Sequence, residues 1–283
     1  MPQTLPNKAI DIYKGLIKET WVPVFRTFSE DKTYKALYGG MVAYMEPGAT
    51  WPMHTDGLPM AVVFQADTDS LPLPIIDKFG GRGKVFQLFM PLGEGDDGPR
   101  HWSDEGDEIE FFFTVRILDK EAGITPEMMP PVVDQTLYAQ PKFIHSWDRR
   151  LDLPFRHGGP YDTDIEASHE AWEEVVSAML GDDPSDEQYE RVANQLYHSD
   201  DKEAGMNSDL TGFNEWGDKI GGWPSLEQGP TEGIDETWDH VLQFNGGIGS
   251  GELKELSEEI AWDGHGWLCR NPDGEWVWYS VMG

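Results

Sequence analysis

The spacing of hydrophobic and polar positions changes character several times along this chain. Residues 7–20 carry apolar side chains at helical spacing, which predicts an amphipathic helix. Residues 34–145 instead break into short apolar and aromatic runs separated by glycine and proline, as is typical of β-strands. The predicted strands are 41–45, 60–66, 84–90, 109–117 and 134–138.

The middle of the chain returns to helical spacing. Residues 164–198 predict two helices, the first ending near Gly181 and the second capped at Ser185. The last third is β-rich again, apart from a short helix predicted at 250–260. Residues 276–281 are apolar on both faces and are predicted to be a strand of a sheet.

One segment has a weaker copy upstream. Both copies contain Gly-Gly, then Trp-Pro, then an apolar run with a glutamine. The stronger copy is Lys219-Ile220-Gly221-Gly222-Trp223-Pro224 followed by the run with Gln243, and the weaker copy consists of Gly39-Gly40, Trp51-Pro52 and the run with Gln65. Self-similarity of this kind indicates a duplicated structural unit. We therefore predict an α+β fold in which two similar, mostly antiparallel sheet units, related by internal duplication, are covered by helices.

These patterns divide the chain into four stretches. Residues 1–33 form an N-terminal helix and lead-in, 34–160 the first β-rich repeat, 161–210 a helical connection, and 211–283 the second β-rich repeat. The two repeats could share one continuous sheet, and we expect one compact domain overall.

The charge balance narrows the classes of partner. The chain has 52 acidic against 21 basic residues and a net charge of −31. Such a surface repels nucleic acid and anionic lipid, so we expect neither as a partner. The acidity has three alternative explanations: solubility or adaptation to salt, a basic protein partner, and divalent metal binding. Because the sequence contains neither an apolar signal core nor a long apolar span, we expect a cytoplasmic protein.

The most acidic local stretch of the first half lies at 94–108. Glycine, proline and like charge in one stretch predict an exposed loop. The residues predicted to bind a protein partner are Glu94, Asp96, Asp97, Asp104, Glu105, Asp107 and Glu108.

Four other residues are candidates for contact with a small ligand. A Trp-Pro pair forms a rigid turn that places a large ring over a sheet, which favours a structural role, and the glutamines are expected to bond to backbone within the core. The alternative is that Trp51, Gln65, Trp223 and Gln243 line a crevice between the two repeats.

The sequence contains no recognisable catalytic motif. The eight histidines have no compact metal spacing, although His54 and His265 could meet across a duplicated fold. The glycine-rich run 246–251 lacks the lysine of a phosphate-binding loop, and the single cysteine, Cys269, is predicted to be a buried thiol. No catalytic residue, metal or cofactor is therefore predicted.

The block around residues 219–268 resembles the YwqG-like family of bacterial proteins. The matching features are Lys219-Ile220-Gly221-Gly222-Trp223-Pro224, Leu242-Gln243-Phe244 and Gly264-His265-Gly266. The chain departs from that family at Asn245 and at Trp262-Asp263, where many relatives carry aspartate and Gly-Asp. The resemblance implies an α+β fold with an internal repeat, and it implies no established catalytic residues.

Two functional hypotheses follow. The first is a non-enzymatic binding protein, in particular an immunity protein that neutralises a basic bacterial toxin such as a nuclease. The second is a small-ligand-binding protein or an enzyme that uses the crevice between the repeats. The absence of catalytic motifs favours binding over catalysis.

Overall fold

The computed structural model describes most of the two β-rich regions. The described residues are 15–26, 36–91, 94–95, 98–99, 102–105, 108–130, 141–152, 217–224, 237–245 and 265–281, with scattered positions at 11–12 and between 170 and 188. The strands among them are β1 (Lys18–Arg26), β2 (Ala36–Tyr38), β3 (Val42–Met45), β4 (Ala61–Asp67), β5 (Lys84–Met90), β6 (Glu94–Gly95), β7 (Gly98–Pro99), β8 (Trp102–Glu105), β9 (Glu108–Phe111), β10 (Thr114–Asp119), β11 (Thr125–Met128), β12 (Lys142–Asp152), β13 (Lys219–Gly221), β14 (Asp239–Asn245), β15 (His265–Arg270) and β16 (Trp276–Val281). Short 3-10 helices span Thr68–Ser70, Leu73–Phe79 and Lys120–Ala122.

Ten of these strands form one antiparallel sheet that curls nearly into a barrel. Their order is β10-β5-β4-β2-β12-β1-β13-β14-β15-β16. The strands β2-β4-β5-β10 form one arm of the sheet, and β13-β14-β15-β16 form the other arm in the same order along the chain. The predicted α+β fold is therefore wrong: the protein is mostly β, with two arms of a single sheet in place of two sheet units covered by helices.

The error arises from the two central strands. β1 pairs along its whole length with β12, and these two strands connect β13 of one arm to β2 of the other. The predicted helix 7–20 ends with residues 18–20, whereas these residues begin β1. β12 was not predicted at all, because its exposed polar positions hide the period of a strand.

The strand predictions in the first half differ from the structure in two further respects. The predicted strands 60–66 and 84–90 are β4 and β5, but the predicted strand 41–45 is β3, which pairs with β11 in a separate two-stranded sheet. The predicted strand 109–117 is divided at Phe112 and Phe113 into β9 and β10.

A 3-10 helix contacts both arms of the sheet. Ile75, Ile76 and Phe79 of the Leu73–Phe79 helix are buried, and the Phe79 ring lies edge-on to Phe86 of β5 at 4.9 Å. From the same helix, Lys78 forms an ion pair of 2.8 Å with Asp239 of β14. One hydrophobic core therefore serves both arms.

Aromatic rings complete this shared core. Tyr38 of β2 lies 5.0 Å from Phe64 of its own arm and 5.1 Å from Phe244 of the other arm. Phe86 also contacts Trp276 of β16 at 5.5 Å. Burial, reinforced by the charge of Asp218, raises the pKa of Tyr38 well above its usual range.

The helical predictions fall largely outside the described residues. The described positions between 170 and 180 are helical, and Ser185 and Gln188 exchange the hydrogen bonds of a capping box. The predicted strand 134–138 and helix 250–260 lie outside the described part. Within the described residues, no helix combines the length and the apolar character that crossing a membrane requires.

Candidate functional site

The acidic stretch forms two short hairpins between β5 and β10. β6 pairs with β7, and β8 pairs with β9, so that the predicted loop is partly strand. The backbone of Glu94, Asp104, Glu105 and Glu108 lies in these strands, whereas Asp96, Asp97 and Asp107 lie outside the described residues. We call residues 94–110 the acidic hairpins.

The hairpin β8–β9 opposes like charges. Residues 94–110 contain eight carboxylates against one arginine, Arg100. In the register of the hairpin, Glu105 lies directly opposite Glu108. Like charges at opposing strand positions destabilise a hairpin, so this register predicts a cost in local stability. Sequence features that reduce local stability in this way occur preferentially at functional sites.

The predicted ligand residues of the first arm are buried against partners of their own. Trp51 donates its indole N–H to the Met60 carbonyl at 2.8 Å, and its ring lies edge-on to Phe89. The Gln65 Oε1 accepts hydrogen bonds from the backbone N–H of Tyr44 at 3.0 Å and from Gln87 Nε2 at 2.6 Å.

The predicted ligand residues of the second arm are also buried. Gln243 accepts a hydrogen bond of 2.9 Å from the Trp267 indole, its register partner on β15, and donates to the Gly217 carbonyl. Trp223 donates its indole N–H to the Leu16 carbonyl, and the Lys18 ammonium lies 3.3 Å from the centre of its ring. The hydrogen bonds described for Trp51, Gln65, Trp223 and Gln243 join none of the four to another.

A buried ion pair that sequence reasoning missed lies at the start of the second arm. Lys219 Nζ is 2.7 Å from Asp152 Oδ2, and the two side chains are 1% and 0% exposed. The same oxygen accepts a hydrogen bond of 2.8 Å from the backbone N–H of Trp223. We call Asp152, Lys219, Trp223 and the adjacent His240 the Asp152 cluster.

His240 is held in one tautomer by a backbone carbonyl of β13. Its Nδ1 lies 2.7 Å from the Gly221 carbonyl, so Nδ1 carries the proton and donates it. Nε2 is buried and has no hydrogen-bond partner within the described structure. Burial, and then the charge of Lys219, lower the pKa of His240 well below its usual range.

The Asp152 cluster stabilises the junction between the central strands and the second arm. Asp152 ends β12, Lys219 begins β13, and Thr20 of β1 donates its hydroxyl to the Ile220 carbonyl at 3.2 Å. Each of these contacts connects strands that are far apart in the sequence. Lys219 belongs to the conspicuous Lys-x-Gly-Gly motif, but no local pattern marks Asp152 as its partner.

The structure gives no support to metal binding within its described part. His54 Nδ1 lies 3.1 Å from Asp56, the side chain of His265 is not among those described, and no group of three potential ligands occurs in the described residues. Cys269 is buried as predicted, and burial raises the pKa of its thiol to about 12. At neutral pH this thiol is therefore un-ionised.

The buried His240 predicts a loss of stability in acid. Its folded-state pKa lies below the unfolded value of about 6.5, so the unfolded state binds more protons below that pH. We expect the free energy of unfolding to fall as pH drops below about 6.5, by up to about 1.4 kcal/mol per pH unit from this group. Urea unfolding between pH 5 and 8 measures it, and His240→Gln should flatten the slope.

The matched control for that titration is His145→Gln. His145 is exposed on β12, so this substitution should leave the pH profile of the wild type in place. If the two variants had the same pH profile, His240 would not be the group responsible.

Comparison with known proteins adds no family to these observations. No protein-family model matches the chain, and no curated protein matches it either. The resemblance to the YwqG-like family stays a prediction.

Proposed function

We propose that this protein is a non-enzymatic, acidic binding protein whose acidic hairpins dock a basic protein. The observation that carries the proposal is the opposition of Glu105 and Glu108 in β8–β9. A basic partner would relieve the repulsion between these carboxylates. The free energy that this repulsion costs the free protein would then be recovered on binding.

The overall charge supports the same partner chemistry. A net charge of −31 produces a field that attracts a basic protein from a distance and accelerates its association. A toxin such as a nuclease presents a basic active site to its nucleic acid substrate, and an acidic surface can occlude that site. We therefore propose that the partner is a basic bacterial toxin, which the protein neutralises in the cytoplasm.

The interior contacts favour this proposal over the crevice hypothesis. The polar groups of Trp51, Gln65, Trp223 and Gln243 bond to the protein's own backbone and side chains. A ligand in a crevice lined by these groups would have to replace those hydrogen bonds.

A charge-neutralised variant tests the proposal. Replacing the seven predicted hairpin acids by their amides should abolish low-salt capture of a basic partner from native lysate, because the docking charge is removed. Quantitative mass spectrometry of the captured proteins measures the loss. The control variant neutralises seven exposed carboxylates elsewhere, namely Glu46, Glu127, Glu170, Glu173, Glu174, Glu187 and Asp273.

The control separates docking from net charge. Both variants change the net charge by the same amount, so only the hairpin variant should lose the partner. Equal capture by the two variants would show that the hairpins are not the docking surface.

A further inference from the structure

We propose that the basic partner adds an extended segment to β10, the edge strand that follows the acidic hairpins. This inference rests on the proposed function and specifies how the partner is held. β10 is the last strand at one end of the ten-stranded sheet, and within the described residues its outer edge pairs with no other strand. An unpaired edge of this kind is a template for a strand from another chain.

The sequence of β10 suits strand addition. Thr114-Val115-Arg116-Ile117-Leu118-Asp119 contains three β-branched residues and no proline. Thr114, Val115 and Arg116 are half-buried, and Ile117 is 40% exposed. None of these four side chains is fully buried within the described residues.

The charge near the middle of β10 does not block its edge. Proteins commonly protect an edge strand with a charged side chain that projects into the path of a partner. The Arg116 guanidinium instead donates to Met45 Sδ at 3.0 Å, and Met45 lies on β3. Arg116 is thus directed over the face of the sheet.

The negative charge of the acidic hairpins favours a basic strand as the partner, and favours β10 over β16 as the edge that it joins. Only Phe111, Phe112 and Phe113 separate the acidic hairpins from Thr114, so the acidic stretch immediately precedes β10 in the sequence. A strand with basic side chains satisfies both the hydrogen-bonding edge and the local field. β16, at the opposite end of the sheet, lacks this proximity in sequence and provides an internal comparison.

The probe for this proposal is a blocked eight-residue peptide of alternating lysine and valine. It should bind at low salt and protect the amides of residues 114–119 from hydrogen exchange, while residues 276–281 keep their exchange rates. Two further peptides carry backbone N-methyl groups on all lysines or on all valines. Alternate residues of a strand direct their N–H groups to the same edge, so one of these peptides should bind at least about ten-fold more weakly and give no protection.

The outcomes separate this inference from the proposed function. If both methylated peptides bound as tightly as the parent peptide, or if residues 114–119 gained no protection, strand addition would be overturned. The hairpin amide variant tests the proposed function in the same assay. If all three peptides bound the hairpin amide variant more weakly than the wild type, and methylation had no effect, the hairpins would remain the docking surface. Strand addition to β10 would then be rejected. An effect of methylation without an effect of the hairpin variant would support strand addition and contradict the hairpin proposal.

Discussion

Replacing Lys219 by methionine should lower the free energy of unfolding by about 3–5 kcal/mol. The substitution leaves the Asp152 carboxylate fully buried without the lysine counter-ion, while the backbone N–H of Trp223 still donates to it. A buried carboxylate that loses its counter-ion has given up its hydration without the compensating opposite charge, and this is strongly destabilising in a protein core. Chemical denaturation at pH 7 measures the loss.

Two comparisons identify the cause of that loss. Lys84→Met breaks the pair with Asp119, whose side chains are 32% and 48% exposed, and its effect should be much smaller. Adding Asp152→Asn to Lys219→Met removes the buried negative charge but keeps an acceptor for Trp223, so the double variant should recover part of the stability. A loss below about 1 kcal/mol for Lys219→Met would contradict this account of the Asp152 cluster.

Replacing Gly222 by alanine should destabilise the protein by about 3 kcal/mol or more. Gly222 has φ of +73°, which side chains other than hydrogen rarely tolerate. A Cβ at this position would also overlap the Asp152 carboxylate and lie 2.8 Å from the Thr20 Cβ. The carboxylate would have to move away from Lys219, so the strain and the broken ion pair add together.

Gly123→Ala is the matched control for backbone strain. Gly123 has φ of +72°, and a Cβ added there would meet no heavy atom within 4 Å. We expect it to lose about 1 kcal/mol, as the cost of the left-handed backbone alone. Thermal and urea unfolding of both variants give the difference. If Gly222→Ala were no more destabilising than Gly123→Ala, the cluster would tolerate displacement of Asp152.

The strands that could be predicted from the sequence are those with continuous apolar runs. β4 and β5 are buried over nearly their full length, so their pattern survives without knowledge of their neighbours. β12 alternates irregularly between exposed and buried positions, and β1 contains Pro23. Among the described strands, β13 pairs with β1 at Thr20 and Trp21 and does not reach Pro23. On that side of β1 a proline is therefore tolerated, because no described strand needs its missing N–H.

The candidate site was predictable only in part, for a similar reason. The acidic hairpins are a local concentration of charge, which composition shows directly. The opposition of Glu105 and Glu108 depends on the register of β8–β9, and the Asp152–Lys219 pair joins residues 67 positions apart. Neither arrangement leaves a periodic signal in the sequence, because each is fixed by strand pairing.

We propose that electrostatic attraction to the acidic hairpins holds the basic partner. The most direct test is to measure the affinity of the wild-type protein for its captured partner at salt concentrations from about 50 to about 500 mM. Added salt screens the attraction between exposed charges over this range. We predict that affinity falls by about ten-fold or more, mainly through slower association. An affinity that does not change with salt would contradict the claim.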